Sequence, residues 1–242
     1  MKLKGIFLAA FIFIGLIGQS QALMILIFGD KLSNERMQSG INVFVTQSTF
    51  NGMSDATVLT SWALGGFTDI KLKNNWYASI ELTVKSPTGA KGLLNYYDHY
   101  IPNDSITVED LHIEITNFSV PLYIKYKTKY FNIAAGPEMI FAYASDLVYT
   151  AKTIGGENIA VKSSAKEYIN TFDIGFSGTF EFLLFPKRPK TSVRLGLRYY
   201  YGFISPLKDY AKSRNSVLMF KVGIPIAGKD VATLEEVKNV KN

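Results

Sequence analysis

The chain has 242 residues, with 26 Lys and Arg against 20 Asp and Glu for a formal charge of +6, and it contains no cysteine. The missing thiols exclude disulfides, a lipid-bearing cysteine, a thiol nucleophile and a cysteine metal site. So mild a positive charge, with no basic patch or known binding module, argues against a dedicated nucleic-acid binder.

Met1-Lys2-Leu3-Lys4 opens the chain, an apolar run follows from Gly5 to Gly18, and Gln19-Ser20-Gln21-Ala22 closes it. A basic start, a short apolar core and a small-residue site predict a secretory signal over residues 1–22, cut after Ala22. Gln19 to Ala22 interrupt the run short of the ~20 apolar residues of a helical span, which favours a removable signal over an anchor. Loss of Lys2 and Lys4 takes 26 basic residues to 24 against 20 acidic ones, a mature charge of +4. No Pro/Gly/Ser-rich linker divides the rest, so residues 23–226 read as one barrel domain and residues 227–242 as a polar periplasmic tail. Past Phe28 no segment is long enough for a helical span. A membrane protein here would have to cross with strands.

Period-2 alternation predicts eight strands, near residues 38–48, 57–72, 75–86, 113–127, 130–145, 167–184, 190–204 and 214–226. Tight polar turns join the second to the third at Lys73-Asn74-Asn75, the fourth to the fifth at Lys127-Thr128-Lys129, and the sixth to the seventh at Pro186-Lys187-Arg188-Pro189. The other connections are longer, above all residues 87–112 and 146–166. Short turns at one end and long loops at the other, on an even strand count, are the habit of outer-membrane barrels. The predicted fold is therefore an all-β, eight-stranded antiparallel up-and-down transmembrane β-barrel.

The faces of the strands agree. The seventh sets Leu195, Leu197, Tyr199 and Tyr201 against Arg194, Gly196, Arg198 and Tyr200. The sixth sets Phe172, Ile174, Phe176, Phe180 and Phe182 against Asp173, Gly175, Ser177, Thr179 and Glu181. Because side chains point alternately to the two faces, one face of each strand wants oil and the other wants water or a partner charge. Turned inward, the polar face collects Asp69, Glu81, Glu138, Asp173 and Glu181 with Lys71, Lys85, Lys125, Arg194, Arg198 and Lys221. Charges in a narrow interior must pair, so the expectation is a lumen ion-pair network, chiefly Glu81, Lys85, Lys125, Glu138, Asp173, Glu181, Arg194, Arg198 and Lys221. A polar conduit or small-ligand site is the sharper alternative, but eight strands leave room only for side chains or one small ligand. Trp76, Tyr126, Phe131 and Phe185 beside the short turns, and Tyr143, Tyr201 and Phe203 near the long loops, are the predicted interface aromatics.

Catalytic chemistry finds little support. The two histidines, His99 in Tyr-Tyr-Asp-His-Tyr and His112 near Glu109 and Glu114, match no strong ligand spacing, and neither a nucleophile elbow nor a phosphate-binding loop is present. The expectation is a non-enzyme with no cofactor and no metal. The Tyr-rich stretch around His99 reads better as a recognition surface.

Phe28-Gly29-Asp30-Lys31-Leu32-Ser33, Val84-Lys85-Ser86, Ser119-Val120-Pro121-Leu122-Tyr123-Ile124-Lys125-Tyr126, Ala135-Gly136-Pro137, Asp173-Ile174-Gly175 and Leu197-Arg198-Tyr199-Tyr200-Tyr201-Gly202 follow in order, with Asn215 to Ile226 in the place of a closing strand. In sequence and spacing they resemble the PorT-like outer-membrane β-barrel (porin) family of Bacteroidetes. The resemblance implies a single outer-membrane barrel, usually of eight strands. Its namesake belongs to a protein-secretion and gliding machinery, a role that does not transfer to every relative. Residues 227–242 depart from the many outer-membrane barrels that end on an aromatic residue.

The sequence thus predicts a non-enzymatic barrel in the cell outer membrane, in contact with outer-membrane lipid, whose external loops bind a ligand or an envelope protein partner. Two alternatives stay open: a component of an envelope secretion or assembly machine, and a soluble exported barrel of lipocalin type with its apolar face inside.

Overall fold

The computed structural model describes residues 36–93, 107–152 and 157–226. The predicted signal (residues 1–22), the tail (residues 227–242) and His99 with its flanking tyrosines lie outside them. The described residues form β1 (Met37–Asn51), β2 (Leu59–Lys73), β3 (Trp76–Lys91), β4 (Thr107–Lys127), β5 (Phe131–Lys152), β6 (Asn158–Ser164), β7 (Phe172–Leu183), β8 (Arg194–Gly202) and β9 (Arg214–Pro225).

Eight of these strands close a ring in the order β4-β3-β2-β1-β9-β8-β7-β5, with β5 returning to β4. All the pairings are antiparallel, and the first and last strands meet from Gly40↔Pro225 to Asn51↔Arg214. Closure leaves the ring without a free edge. Local chemistry sets the short turns. Asn74 sits at φ 52°, a left-handed conformation that asparagine tolerates, between Lys73 and Trp76. Thr128 Oγ1 accepts the Phe131 N–H at 2.9 Å and donates to the Phe131 carbonyl at 2.7 Å. Ser192 Oγ accepts the Phe185 N–H at 2.8 Å in the turn from β7 to β8.

Beyond the ring the opposite end grows tall. β4 and β5 run past their predicted limits and pair as far as Thr107↔Lys152. The upper third of β5, Asp146 to Lys152, also pairs with β6, a strand the alternation reading misses. Residues of β6 are nearly all exposed on both faces, so no contrast between faces marks it in the sequence.

Bulges bend this upper wall. Leu64↔Lys85 is followed by Gly65↔Thr83, and Thr83↔Ser119 by Ser86↔Asn117, so β3 carries one residue too many at Val84-Lys85. An extra residue reverses the facing of everything after it. Lys85, predicted inside, therefore points outward, with its ammonium 3.8 Å from the centre of the exposed Trp62 ring. Ser86, Thr88 and Ala90 turn inward instead. A second bulge sits at Tyr143 in β5, whose exposed ring spans to β3 and donates its hydroxyl to the Val84 carbonyl at 3.4 Å.

Candidate functional site

The interior of the ring is filled in layers. Nearest the short turns lies a cluster of charges: Asp69, Glu81, Glu138 and Glu181 against Lys125, Arg194, Arg198 and Lys221, all fully or nearly fully buried. Lys125 Nζ lies 3.0 Å from Asp69 and 3.6 Å from Glu181. Lys221 bridges Glu81 at 2.6 Å and Glu181 at 2.8 Å. Arg194 reaches Asp69 at 3.0 Å and Glu181 at 3.7 Å, while Arg198 pairs with Glu138 and lies 3.8 Å from Glu81. Desolvating an ion costs several kcal/mol, and only multiple partners at this range offset it. Asn132 donates to Glu181 at 3.0 Å, Asn42 to Glu81 at 3.2 Å and Ser79 to Asp69 at 2.5 Å. Inward aromatic faces complete the packing. Arg194 Cζ sits 4.5 Å from the Phe67 ring centre, and Arg198 Cζ 5.7 Å from Phe44 and 5.9 Å from Tyr123.

Sequence reasoning missed one member. Lys127, assigned to a turn, reaches back so that its ammonium lies 2.8 Å from Asp69 and 2.8 Å from Gln38 Oε1. Its parity with Lys125, two residues earlier, was the available signal. Besides the outward-pointing Lys85, two residues assigned to the inward face lie outside the ion cluster. Lys71 is exposed at the short-turn rim. Asp173 faces inward but far up the wall, where its partners are neutral: Asn215 donates to it at 2.9 Å and the Ile204 N–H at 3.0 Å. The β7 strand carries Asp173 six residues above Thr179, which pairs with Arg198, so it stands a layer above the ion cluster.

Above the charges come Phe44, Ala63, Ile140, Tyr200, Val217 and Met219. A side chain at Gly175 would collide with the Tyr200 ring, its Cβ 2.7 Å from the nearest ring carbon, so glycine is what lets this tyrosine cross the lumen. The loop end is closed by a second apolar cluster in which Phe50, Leu111, Ile113, Leu147, Ile169 and Leu207 meet. Between the two lies a cavity of about 10 Å³ lined by Thr88, Asn117, Asn170, Asp173 and Asn215, space for about one water. Side chains this inaccessible leave no open bore through the described interior.

Outside, the wall is apolar. Ile133, Phe180 and Leu195 are 49%, 47% and 41% exposed, whereas Arg198 and Glu138 are 0% exposed. That overturns the lipocalin-type alternative, which requires the reverse. Trp76 and Tyr126, with ring centres 4.9 Å apart, and Phe185 are exposed at the short-turn end, while Tyr143, Tyr201 and Phe203 are exposed toward the loops. Phe131 is half-covered by Phe180, whose ring centre lies 5.7 Å away. His112 is held within its own strand end, Nδ1 2.7 Å from the Asp110 carbonyl and Nε2 3.6 Å from Glu114. Among the described residues no group of three or more His, Cys, Asp or Glu is arranged to hold a metal.

No family model and no curated protein matches the chain. Among solved structures it is similar to Ail, the attachment invasion locus protein of Yersinia pestis, at 11% identity and TM-score 0.41, over 79% of this chain and 99% of that one. It is also similar to OprG of Pseudomonas aeruginosa, at 12% identity and TM-score 0.38, over 79% and 95%. Neisserial surface protein A gives 10% identity and TM-score 0.37, over 78% and 96%. Likeness at this level transfers no function.

Proposed function

We propose that this chain is an integral outer-membrane β-barrel, non-enzymatic, with a closed, ion-paired lumen and a loop-end extension that binds a ligand or protein partner. The inverted wall carries the reading: carboxylates and guanidinium groups sealed inside, Leu, Ile and Phe exposed outside. In water such a surface is an aggregation site far beyond the apolar patches of soluble proteins. In lipid it is the required solvent-facing surface. The outward row of β7 runs from Phe172 to Phe182, a rise of ten residue steps. At roughly 3.3 Å per residue and a tilt near 40° it spans about 25 Å, the height of an outer-membrane apolar band. The predicted signal would deliver the chain across the inner membrane. Both described ends of the ring, Met37 and Pro225, lie with the short turns, which would face the periplasm, and β4, β5 and β6 would rise on the outside.

Substitution on the outer face tests this. Leu197→Arg, in the middle of the β8 row, should destabilise a lipid-embedded barrel by about 2–4 kcal/mol in urea titrations read by heat-modifiable gel mobility. A water-facing position would lose almost nothing, and recovery of the native protein in aqueous extracts without detergent would refute the reading.

The motif order that resembles the PorT-like family supports a second reading, a subunit of an envelope secretion or assembly machine. Crosslinking in intact cells separates the two. A stoichiometric envelope complex favours the machine, and a barrel recovered alone favours the free receptor.

A further inference from the structure

The two rims of the ring differ in charge. At the short-turn rim, residues 36–38, 70–77, 126–132, 183–193 and 224–226 carry eight Lys or Arg and no carboxylate. Lys127 is committed to Asp69, and the other seven are exposed: Arg36, Lys71 and Lys73 on one arc, Lys129 on the next, and Lys187, Arg188 and Lys190 on the third. At the loop end, residues 51–58, 86–93, 107–116, 144–152, 157–171 and 203–214 carry eight carboxylates and seven Lys or Arg. Among the described residues the excess is therefore confined to one rim. Lys71 and Lys73 lie two residues apart, about 7 Å along a strand, and Lys187 adjoins Arg188. Such charges repel within a Debye length of about 8 Å, so an anion bound among them relieves strain as well as making contacts.

Apolar side chains interleave with these cations. Leu72, Trp76, Tyr126, Tyr130, Leu184 and Phe185 are all exposed at the same level, and the Lys129 ammonium lies 5.5 Å from the Tyr130 ring centre. A ring of ammonium and guanidinium groups beside rings of Trp, Tyr and Phe fits the boundary between phosphate and acyl chain. An acidic soluble protein would satisfy the charges but leave those apolar side chains in water.

We propose that this collar binds the phosphate groups of anionic glycerophospholipids in the membrane leaflet at the short-turn end, and so holds the barrel at a fixed depth and orientation. The inference rests on the membrane reading above. The full chain, reconstituted in phosphatidylcholine vesicles, is probed with spin-labelled phosphatidylglycerol or phosphatidylcholine, and the motionally restricted fraction of each label is measured. The anionic label should associate roughly fivefold more strongly, as expected of one basic contact at an interface. Combining Lys73→Gln, Lys129→Gln, Lys187→Gln and Arg188→Gln should bring the ratio near one. The loop-end set Lys91→Gln, Lys162→Gln, Lys166→Gln and Lys208→Gln should leave it unchanged. Raising salt should lower the ratio for the unaltered chain, which keeps the test independent of how well the variants fold. Equal association of the two labels with the unaltered chain, as an acidic protein occupant would give, overturns the collar. Selectivity that survives the collar substitutions, or falls equally with the loop-end set, does the same. If neither label is restricted at all, it is the membrane reading that has failed.

Discussion

The two ends of the barrel interior are sealed by opposite chemistry. Near the short turns, four carboxylates and five cations interlock around Lys125, Glu181 and Lys221; near the loops, Phe50, Ile113, Leu147 and Leu207 pack without a charge among them. The contrast follows from where each layer sits. The ion layer is enclosed by wall that lipid would surround, where inward polar residues give each strand two unlike faces and specify its register. The loop-end layer lies where β3, β4 and β5 outgrow the ring. There the outward side chains include Glu109, His112 and Glu114, and water on that side would restore the ordinary rule of an apolar core. In effect, a small soluble-type core is stacked on an inverted one.

The largest effect should come from breaking the ion layer on one side. Glu181→Leu takes one carboxylate from Lys125, Arg194 and Lys221 at once, leaving only Asp69 and Glu81 to hold the three cations, and breaking a buried ion pair from one side costs about 3–5 kcal/mol. Urea midpoints of the reconstituted barrel measure it, and a loss under 1 kcal/mol would mean that the layer is hydrated. A somewhat smaller loss, about 2–5 kcal/mol, is expected for Ile113→Ala, which empties a fully buried site in the loop-end cluster. Because the ion layer is untouched, planar-bilayer recordings of this variant should stay at baseline; steady openings would show that the apolar layer alone closes the barrel. The mildest case is Asp173→Asn at the seam between the layers. Its partners are Asn215 and the Ile204 N–H, not cations, so the neutral isostere should cost no more than about 1 kcal/mol. A loss as large as that of Glu181→Leu would place Asp173 in the ion network after all.

Much of this architecture is legible in the residue order. Strict alternation in β7 and β8 puts Glu181, Arg194 and Arg198 on one face and Phe180, Leu195 and Leu197 on the other, and in the folded ring the first face is buried and the second exposed. Lys85 shows where the rule breaks. Its parity with Glu81 holds only while the strand is regular, and the extra residue in β3 is a property of pairing with β2 and β4, which no single segment reveals. The apolar loop-end layer was hidden for a related reason. Leu111, Ile113 and Ile115 alternate with Glu and His as a lipid-facing row would, and only the position of the wall around them says that the apolar side is the inside. For β6 the difficulty is different again: exposed on both sides, it has no period to read.

The sequence by itself determined the strand count of the ring, the sorting of short turns from long connections, and the existence of two chemically unlike faces, because period-2 alternation and turn chemistry are local properties of the chain. Tertiary structure alone decided which apolar rows face outward and which close the loop end, which lysines reach the ion layer, and that β6 extends the wall beyond the ring. Those depend on curvature, bulges and closure, which arise only when non-adjacent strands pair.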